Sequence, residues 1–365
     1  MSDRPPYRVV LAGLVLALLF LFALAIGLAW APDRPLNDLK ARWAPPPSRF
    51  VELQGIQVHL RDEGAPGRGP PIVLLHGTSA SLHTWQGWAD ALTPHYRVIR
   101  VDLPGFGLTG PFPHDDYHVE RYVEFVVELL DHLSIPEAVI GGNSLGGQIA
   151  WQTAVDAPER VAGLVLVNAA GFPLAPESVP VGFRIARIPW LQPLMTRLLP
   201  RGMIESSLRN VYGDPARVTD ALVDRYYELA LREGNRRALG LRLEQAAAPE
   251  SPTEHLGSIR QPTLILWGGR DRLIPPATAL KYQRAIDQSR LVVFEELGHV
   301  PHEEDPVATV AVVMRFLEEE VVSPWRGRQG QAAFYRQMAQ ADSKYTDEVQ
   351  VTIATQCLDP VGAGG

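Results

Sequence analysis

A serine between glycines, then an aspartate, then a histidine stand in an order that can carry nucleophilic chemistry. Ala138 to Gly147 reads as an apolar strand running into Gly142-Asn143-Ser144-Leu145-Gly146, followed by a helical pattern through Ile149, Ala150 and Ala154. A serine on so tight a strand-to-helix turn is strained, and side chains at positions 142 and 146 would collide with neighbouring backbone, so the glycines are a geometric requirement. The turn lifts the Ser144 hydroxyl above the strand end. The following helix aims backbone N–H groups and its positive dipole end at the same point, where a developing anion would be stabilised.

A serine hydroxyl is a poor nucleophile until a base removes its proton and a carboxylate orients that base. Asp271 follows the apolar run Leu264 to Trp267, and His299 follows Leu291 to Phe294 in Glu296-Leu297-Gly298-His299. The rival reading of Asp271 is a surface turn paired with Arg270 or Arg272. His302 is the rival base, but His299 directly follows Gly298 at the strand end and is preferred. His76 suits a structural hydrogen-bonding role. Gly105 to Gly110 formally matches a dinucleotide fingerprint, yet Pro111 and Pro113 stand where its helix would begin. His114, Asp115, Asp116 and His118 read as a solvated loop rather than metal ligands. Cys357 is the single cysteine, so neither an intrachain disulfide nor a cysteine-based zinc site can form. No cofactor and no metal are expected.

The positioning elements follow from hydrophobic periodicity. Ile72 to Leu75, Val98 to Val101, Ala138 to Ile140, Leu164 to Val167, Leu264 to Trp267 and Leu291 to Phe294 are short continuous apolar runs, the pattern of strands buried on both faces. Val119 to Leu133 and Val307 to Leu317 carry apolar residues at the spacing of crossover helices. Phe50 to Leu53 and Ile56 to Leu60 form an antiparallel pair turning at Gln54-Gly55. The fold class is therefore α/β, with a mostly parallel central sheet flanked by helices. Roughly 95 residues separate Val167 from Leu264, far more than one crossover needs. An inserted helical lid is assigned to 171–255, leaving a core of 50–170 and 256–321. Within the lid, Phe183, Ile185, Ile188, Trp190, Leu191, Leu194, Met195, Leu198 and Leu199 recur at helical spacing, broken by Pro189 and Pro193. They are expected to pack on neighbouring helices and to line an apolar substrate site.

The order Ser144, Asp271, His299 resembles that of the α/β-hydrolase superfamily, and the resemblance runs from about Phe50 to Glu320. His76-Gly77 matches its oxyanion loop, Asp102-Leu103-Pro104-Gly105-Phe106-Gly107 the loop after the next strand, and Gly298-His299 with Glu304-Asp305-Pro306 the catalytic-histidine loop. The resemblance implies an oxyanion hole of the Thr78 and Leu145 backbone N–H groups, and a serine hydrolase cleaving carboxylic esters of apolar acyl or alcohol groups. It is similar both to lidded carboxylesterases and lipases and to carbon-carbon bond hydrolases of aromatic degradation, which share Gly-Asn-Ser-x-Gly-Gly. The triad does not separate these two. Serine at 144 argues against the dehalogenase and epoxide hydrolase branches, which use aspartate there. A thioesterase is a further alternative; a non-catalytic binding protein of the same fold is the reading from another class, disfavoured by a complete triad.

Val9 to Trp30 contains no charge and no proline, about the length of one membrane-crossing helix. Arg4 and Arg8 with Ala29-Trp30-Ala31 imitate a signal peptide, but the apolar stretch exceeds the roughly 7–15 residues of a signal core. Residues 9–30 are thus expected to be a single-pass anchor after a short tail, 1–8. Arg34, Lys40 and Arg42 on the far side leave the positive-inside count undecided; the short basic N-terminus and large following domain favour an exported catalytic part. Residues 31–49, with Pro45-Pro46-Pro47, are read as a semi-rigid stalk. The tail 322–365, with one helix over Gln331 to Ala341, has no assigned role. The expected partners are an apolar ester and the lipid bilayer. A net charge of -7 argues against nucleic acid.

Overall fold

The computed structural model describes residues 6–328 apart from 66, 68, 174–175, 189–191 and 247–252. The expected helix over Gln331 to Ala341, Trp190 and Leu191 lie outside these residues. Eight strands form one sheet: β1 (Arg49–Leu53), β2 (Ile56–Glu63), β3 (Ile72–Leu75), β4 (Val98–Val101), β5 (Ala138–Asn143), β6 (Val161–Val167), β7 (Thr263–Gly268) and β8 (Ser289–Phe294), in the order β1-β2-β4-β3-β5-β6-β7-β8. Gln54 and Gly55 both have positive φ, 53° and 75°, which closes a two-residue hairpin and sets Leu53 opposite Ile56. β1, β2 and β4 pair antiparallel; the remaining pairs are parallel.

Helices cover both faces, as a parallel sheet requires. Val119–His132 and Leu145–Asp156 bury Tyr122, Phe125 and Trp151 on one side, while Gln86–Leu92 and Pro306–Phe316 bring Trp88, Val310 and Phe316 to the other. β8 departs from the expectation of burial on both faces: all six of its residues are partly exposed. It is the last strand of the sheet, with a neighbour on one side only. The core also continues past 321, since Val322 is buried and Trp325 packs against it.

Between β6 and β7 the lid contains the helices Val181–Ala186, Gln192–Met195, Arg201–Val211, Asp220–Ala230 and Asn235–Gln245. Of its apolar residues Leu199 is buried, Phe183, Ile185 and Ile188 are half-buried, and Leu194 is 51% exposed.

The stalk expected at 31–49 is corrected. This segment is a strap packed on the lid, with a helix over Leu36–Trp43. Leu39 is 1% exposed and packs with Leu108 and Leu229, and Ala31 packs with Leu199 and Leu231. Asp33 pairs with Arg236 and accepts from the Gly234 N–H at 3.2 Å, while Trp43 Nε1 donates to Glu228 at 2.7 Å. The prolines drew the sequence reading toward a spacer, whereas Leu36, Leu39 and Trp43 at helical spacing make the face that docks. Leu39→Ala is accordingly expected to lower the unfolding free energy by about 3 kcal/mol in urea titration. A chain starting at Trp30 should melt like the full chain, whereas one starting at Arg49 should melt lower and be cut faster by protease within the lid. Equal melting of the two would show that the strap contributes nothing.

Candidate active site

Ser144 is the junction of β5 and the helix Leu145–Asp156, with φ 54° and ψ -114°. Few non-glycine residues tolerate this conformation, so the surroundings must impose it. They do so by close approach. A Cβ on Gly142 would lie 2.1 Å from the Gly146 carbonyl oxygen, and one on Gly146 would lie 2.1 Å from that of Leu75. The Ser144 N–H donates to Val167 O at 3.0 Å, and its carbonyl accepts from Ala170 and Gln148, each at 3.0 Å.

Asp271 is buried at 2% exposure and does not pair with a neighbouring arginine. Arg270 pairs with Glu296, and Arg272 donates to the Asn210 carbonyl. The Asp271 carboxylate is fully engaged instead. Oδ1 accepts from the Leu273 and Ile274 N–H groups at 2.8 and 2.9 Å; Oδ2 accepts from Asn168 Nδ2 at 2.6 Å and lies 2.7 Å from His299 Nδ1. With Nδ1 donating to Asp271, Nε2 of His299 is left as the basic nitrogen. Asn143, next to Ser144, donates from Nδ2 to the His299 carbonyl at 2.9 Å, tying the histidine loop to the elbow.

The lid holds the same loop from the other side. The His299 N–H donates to Val211 O at 2.7 Å, at the end of the helix Arg201–Val211. Glu304 collects the N–H groups of Gly213, Asp214 and Gly298 at 3.0, 2.8 and 2.8 Å. Glu303 pairs with Arg225 and accepts from the Tyr226 hydroxyl at 2.8 Å, both from the lid helix Asp220–Ala230. On the opposite side, a Cβ on Gly77 would lie 3.2 Å from the Ser144 Cβ, so the loop carrying Thr78 passes directly over the serine. Among the described residues neither the Thr78 nor the Leu145 N–H is spent on a protein acceptor, which leaves both able to bind an oxyanion.

A family profile described as alpha/beta hydrolase fold matches residues 70–306. The chain belongs to the α/β-hydrolase fold family. It is 32% identical over 283 residues to 2-hydroxy-6-oxo-2,4-heptadienoate hydrolase of Pseudomonas putida, covering 74% of this chain and 96% of the relative. Among solved structures it is similar to a meta-cleavage product hydrolase of Pseudomonas fluorescens, with 26% identity and TM-score 0.65 over 74% of this chain and 97% of that one. It is also similar to a membrane phospholipase A described as a bacterial virulence factor, with 25% identity and TM-score 0.63, over 85% of this chain and 98% of that one.

In this α/β-hydrolase the other singled-out groups take supporting places. His302 is wholly buried, its Nε2 3.1 Å from the Thr84 hydroxyl and its ring 4.0 Å from Trp85. His76 Nδ1 donates to Gly77 O at 2.8 Å and Nε2 accepts from the Leu103 N–H at 2.9 Å, so it clamps two loops. The Gly105 to Gly110 stretch is a turn around the Asp102 carboxylate, which accepts from Leu82, Leu108 and His59. Burial alone would raise the Asp102 pKa, but the imidazoles around it, His59 foremost with His83 and His76, more than reverse this and hold it below the usual carboxylate range. Asp116 bonds to His118, and Asp115 pairs with Arg237, so these loop acids have their own partners; among the described residues no cluster of metal-ligating side chains forms. A small cavity of about 30 Å³ lies between the lid and the loop after Thr78, walled by Phe106, Leu229, Ala230 and Leu239 with Ser79, Asn235 and Arg236.

The sequence reading did not foresee Asn168, Glu304 or Asn143 as positioning groups. Asn168 has a signal of sorts, a lone amide after the apolar run of β6, held at φ 46°. Glu304 shows in the sequence only as part of Glu304-Asp305-Pro306, and two of its three backbone donors, Gly213 and Asp214, come from the distant lid.

His76, His83 and His302 are neutral in the folded state, because burial pushes each pKa below its ordinary value, His83 down to about 3. The unfolded chain takes up protons on these rings below about pH 6.5 and the folded chain does not. Stability is therefore full above 6.5 and falls as pH drops, for His83 down to about 3. For His83 the loss approaches roughly 1.4 kcal/mol per pH unit across that window. Urea midpoints at descending pH should show this slope, and His83→Gln should reduce it by about one proton. A pH-independent midpoint would refute the burial of neutral rings.

Proposed function

We propose that the protein is a serine hydrolase of carboxylic esters with apolar groups, working at a bilayer to which residues 9–30 hold it. The observation that carries the reading is the end of the apolar N-terminal helix. Pro6–Ala29 includes a 20-residue stretch long and apolar enough to cross a membrane, and Ala29 and Ala31 hydrogen-bond directly to Leu199 and Arg197 of the lid. A lid fixed to a membrane helix serves a substrate taken from lipid. The wider match to a membrane phospholipase A, reaching beyond the portion shared with the other solved relatives, supports the same reading. In this reading the catalytic part lies on the exported side.

In the proposed reaction Ser144 Oγ attacks the ester carbonyl carbon while His299 Nε2 takes its proton. The carbonyl oxygen becomes an oxyanion held by the Thr78 and Leu145 N–H groups. Collapse expels the alcohol, which receives the proton from His299, and leaves an acyl-Ser144 ester. Water, deprotonated by His299, then attacks that ester and releases the acid and the serine. Asp271 keeps the imidazole in the required tautomer, and Asn168 fixes Asp271.

The second reading is carbon-carbon bond hydrolysis, favoured by the relatives named hydrolases of 2-hydroxy-6-oxo-2,4-heptadienoate and of 2-hydroxymuconate semialdehyde. Their substrates are soluble acids, which give no reason for an anchored lid.

Ser144→Ala should abolish fluorophosphonate labelling without unfolding the chain; labelling at another serine would refute the assignment. His299→Ala should lose at least about a thousandfold in turnover, and His302→Ala much less. A p-nitrophenyl ester series should give kcat/KM rising with acyl length. Turnover of a ring-fission dienoate with none of the esters would replace the ester reading with the second one.

A further inference from the structure

The lid carries a patch that its own fold does not neutralise. Between Glu177 and Glu205 the sequence holds Arg184, Arg187, Arg197 and Arg201 and no acidic residue. Arg201 is paired with Asp220 and Asp224. Arg184, Arg187 and Arg197 are exposed, and among the described residues none has an acidic partner. Val181, Arg184 and Arg187 recur at a three-residue interval across the short helix Val181–Ala186, so they share one outward face. Among the described residues outside the anchor helix, the exposed large apolar side chains are Trp30, Val181, Leu194, Leu280 and Val307; Val181 lies on the helix that carries Arg184, and Trp30 bridges Leu198, next to Arg197 and close in sequence to Leu194.

Its position is set by hydrogen bonds. Leu199 N–H donates to Ala29 O and Ala31 N–H to Arg197 O, both at 2.9 Å, and Trp30 bridges Leu198. If Pro6–Ala29 spans the hydrocarbon, its end at Ala29 must lie at the hydrocarbon boundary, and Arg197 is then within the headgroup layer of roughly 5–8 Å. Trp30, 53% exposed at that boundary, is the residue type that settles there. Cationic side chains interleaved with exposed Val181 and Leu194 match a surface of anionic phosphate over acyl chains.

We propose that the face made by Val181, Arg184, Arg187, Leu194 and Arg197 docks on the headgroups of an anionic bilayer, so that the lid rests on the lipid while the anchor only tethers it. This rests on the reading of residues 9–30 as a membrane span. The docked state gains roughly fivefold for each arginine near an anionic leaflet. The full chain with Cys357→Ser and Leu194→Cys, labelled at the new cysteine with a polarity-sensitive dye, is reconstituted into vesicles containing a headgroup-nitroxide lipid. Docking predicts strong quenching and a blue shift in equal mixtures of phosphatidylcholine and phosphatidylglycerol, weak quenching in phosphatidylcholine alone, and reversal by high salt. R184E/R187E/R197E in the same chain should lose the quenching, and R184K/R187K/R197K should keep it, with hydrolysis of a short soluble ester unchanged in both. Equal quenching in the two lipids, or quenching indifferent to the charge reversal, overturns the proposal. Extraction of the full chain by alkaline carbonate would overturn the span itself, and is read separately from the dye.

Discussion

The backbone of Ser144 is held where few non-glycine residues go, and the rest of the site is arranged around keeping it there. φ 54° and ψ -114° at the end of β5 place the serine above the carboxyl ends of the parallel strands. That conformation requires Gly142 and Gly146 to pass within distances that exclude any side chain. The strain is offset by ordinary hydrogen bonds: the Ser144 amide and carbonyl are bonded to Val167, Ala170 and Gln148, so β6 and the following helix hold both ends of the turn. Parallel pairing of β3, β5, β6 and β7 is then what gathers the candidate residues. Each of the loops after these strands, carrying Thr78, Ser144, Asn168 and Asp271, opens at the same edge of the sheet.

Polar burial at this edge is made tolerable by full pairing. Asp271 is almost inaccessible, and an unpaired carboxylate there would be costly, yet four donors meet its two oxygens. Glu304 is handled similarly, with three backbone N–H groups from the lid and the histidine loop. These bonds make the lid part of the support of His299 rather than a flap over it. The strap extends the arrangement outward, because Asp33, Leu39 and Trp43 grip the lid turn and helix that also wall the cavity beside Thr78.

Family membership fixes the scaffold and leaves the reaction open, since one fold hosts many chemistries and function lies in the site grafted on it. Three features go beyond the scaffold: an apolar helix of membrane-crossing length, a strap that bonds it to the lid, and lid arginines that, among the described residues, have no acidic partner. These features motivate the lipid-facing reading.

The amino-acid sequence alone determined the class of fold, the order of strands along the chain and the identity of Ser144, Asp271 and His299 as candidates. The reason is local: a parallel strand buried on both faces must be a continuous apolar run, and a strand-serine-helix turn must have glycines at fixed offsets. The parts that stayed illegible depend on contacts between distant segments. Asn143, Asn168 and Glu304 look like any polar residues until the sheet brings Asn168 to Asp271 across 103 positions and Asn143 to His299 across 156. The strap was misread because its prolines are visible locally, whereas the surface that buries Leu39 is built from Leu108 and Leu229. Whether a segment is spacer or brace is decided by what stands opposite it, and only the tertiary structure places Leu229 there.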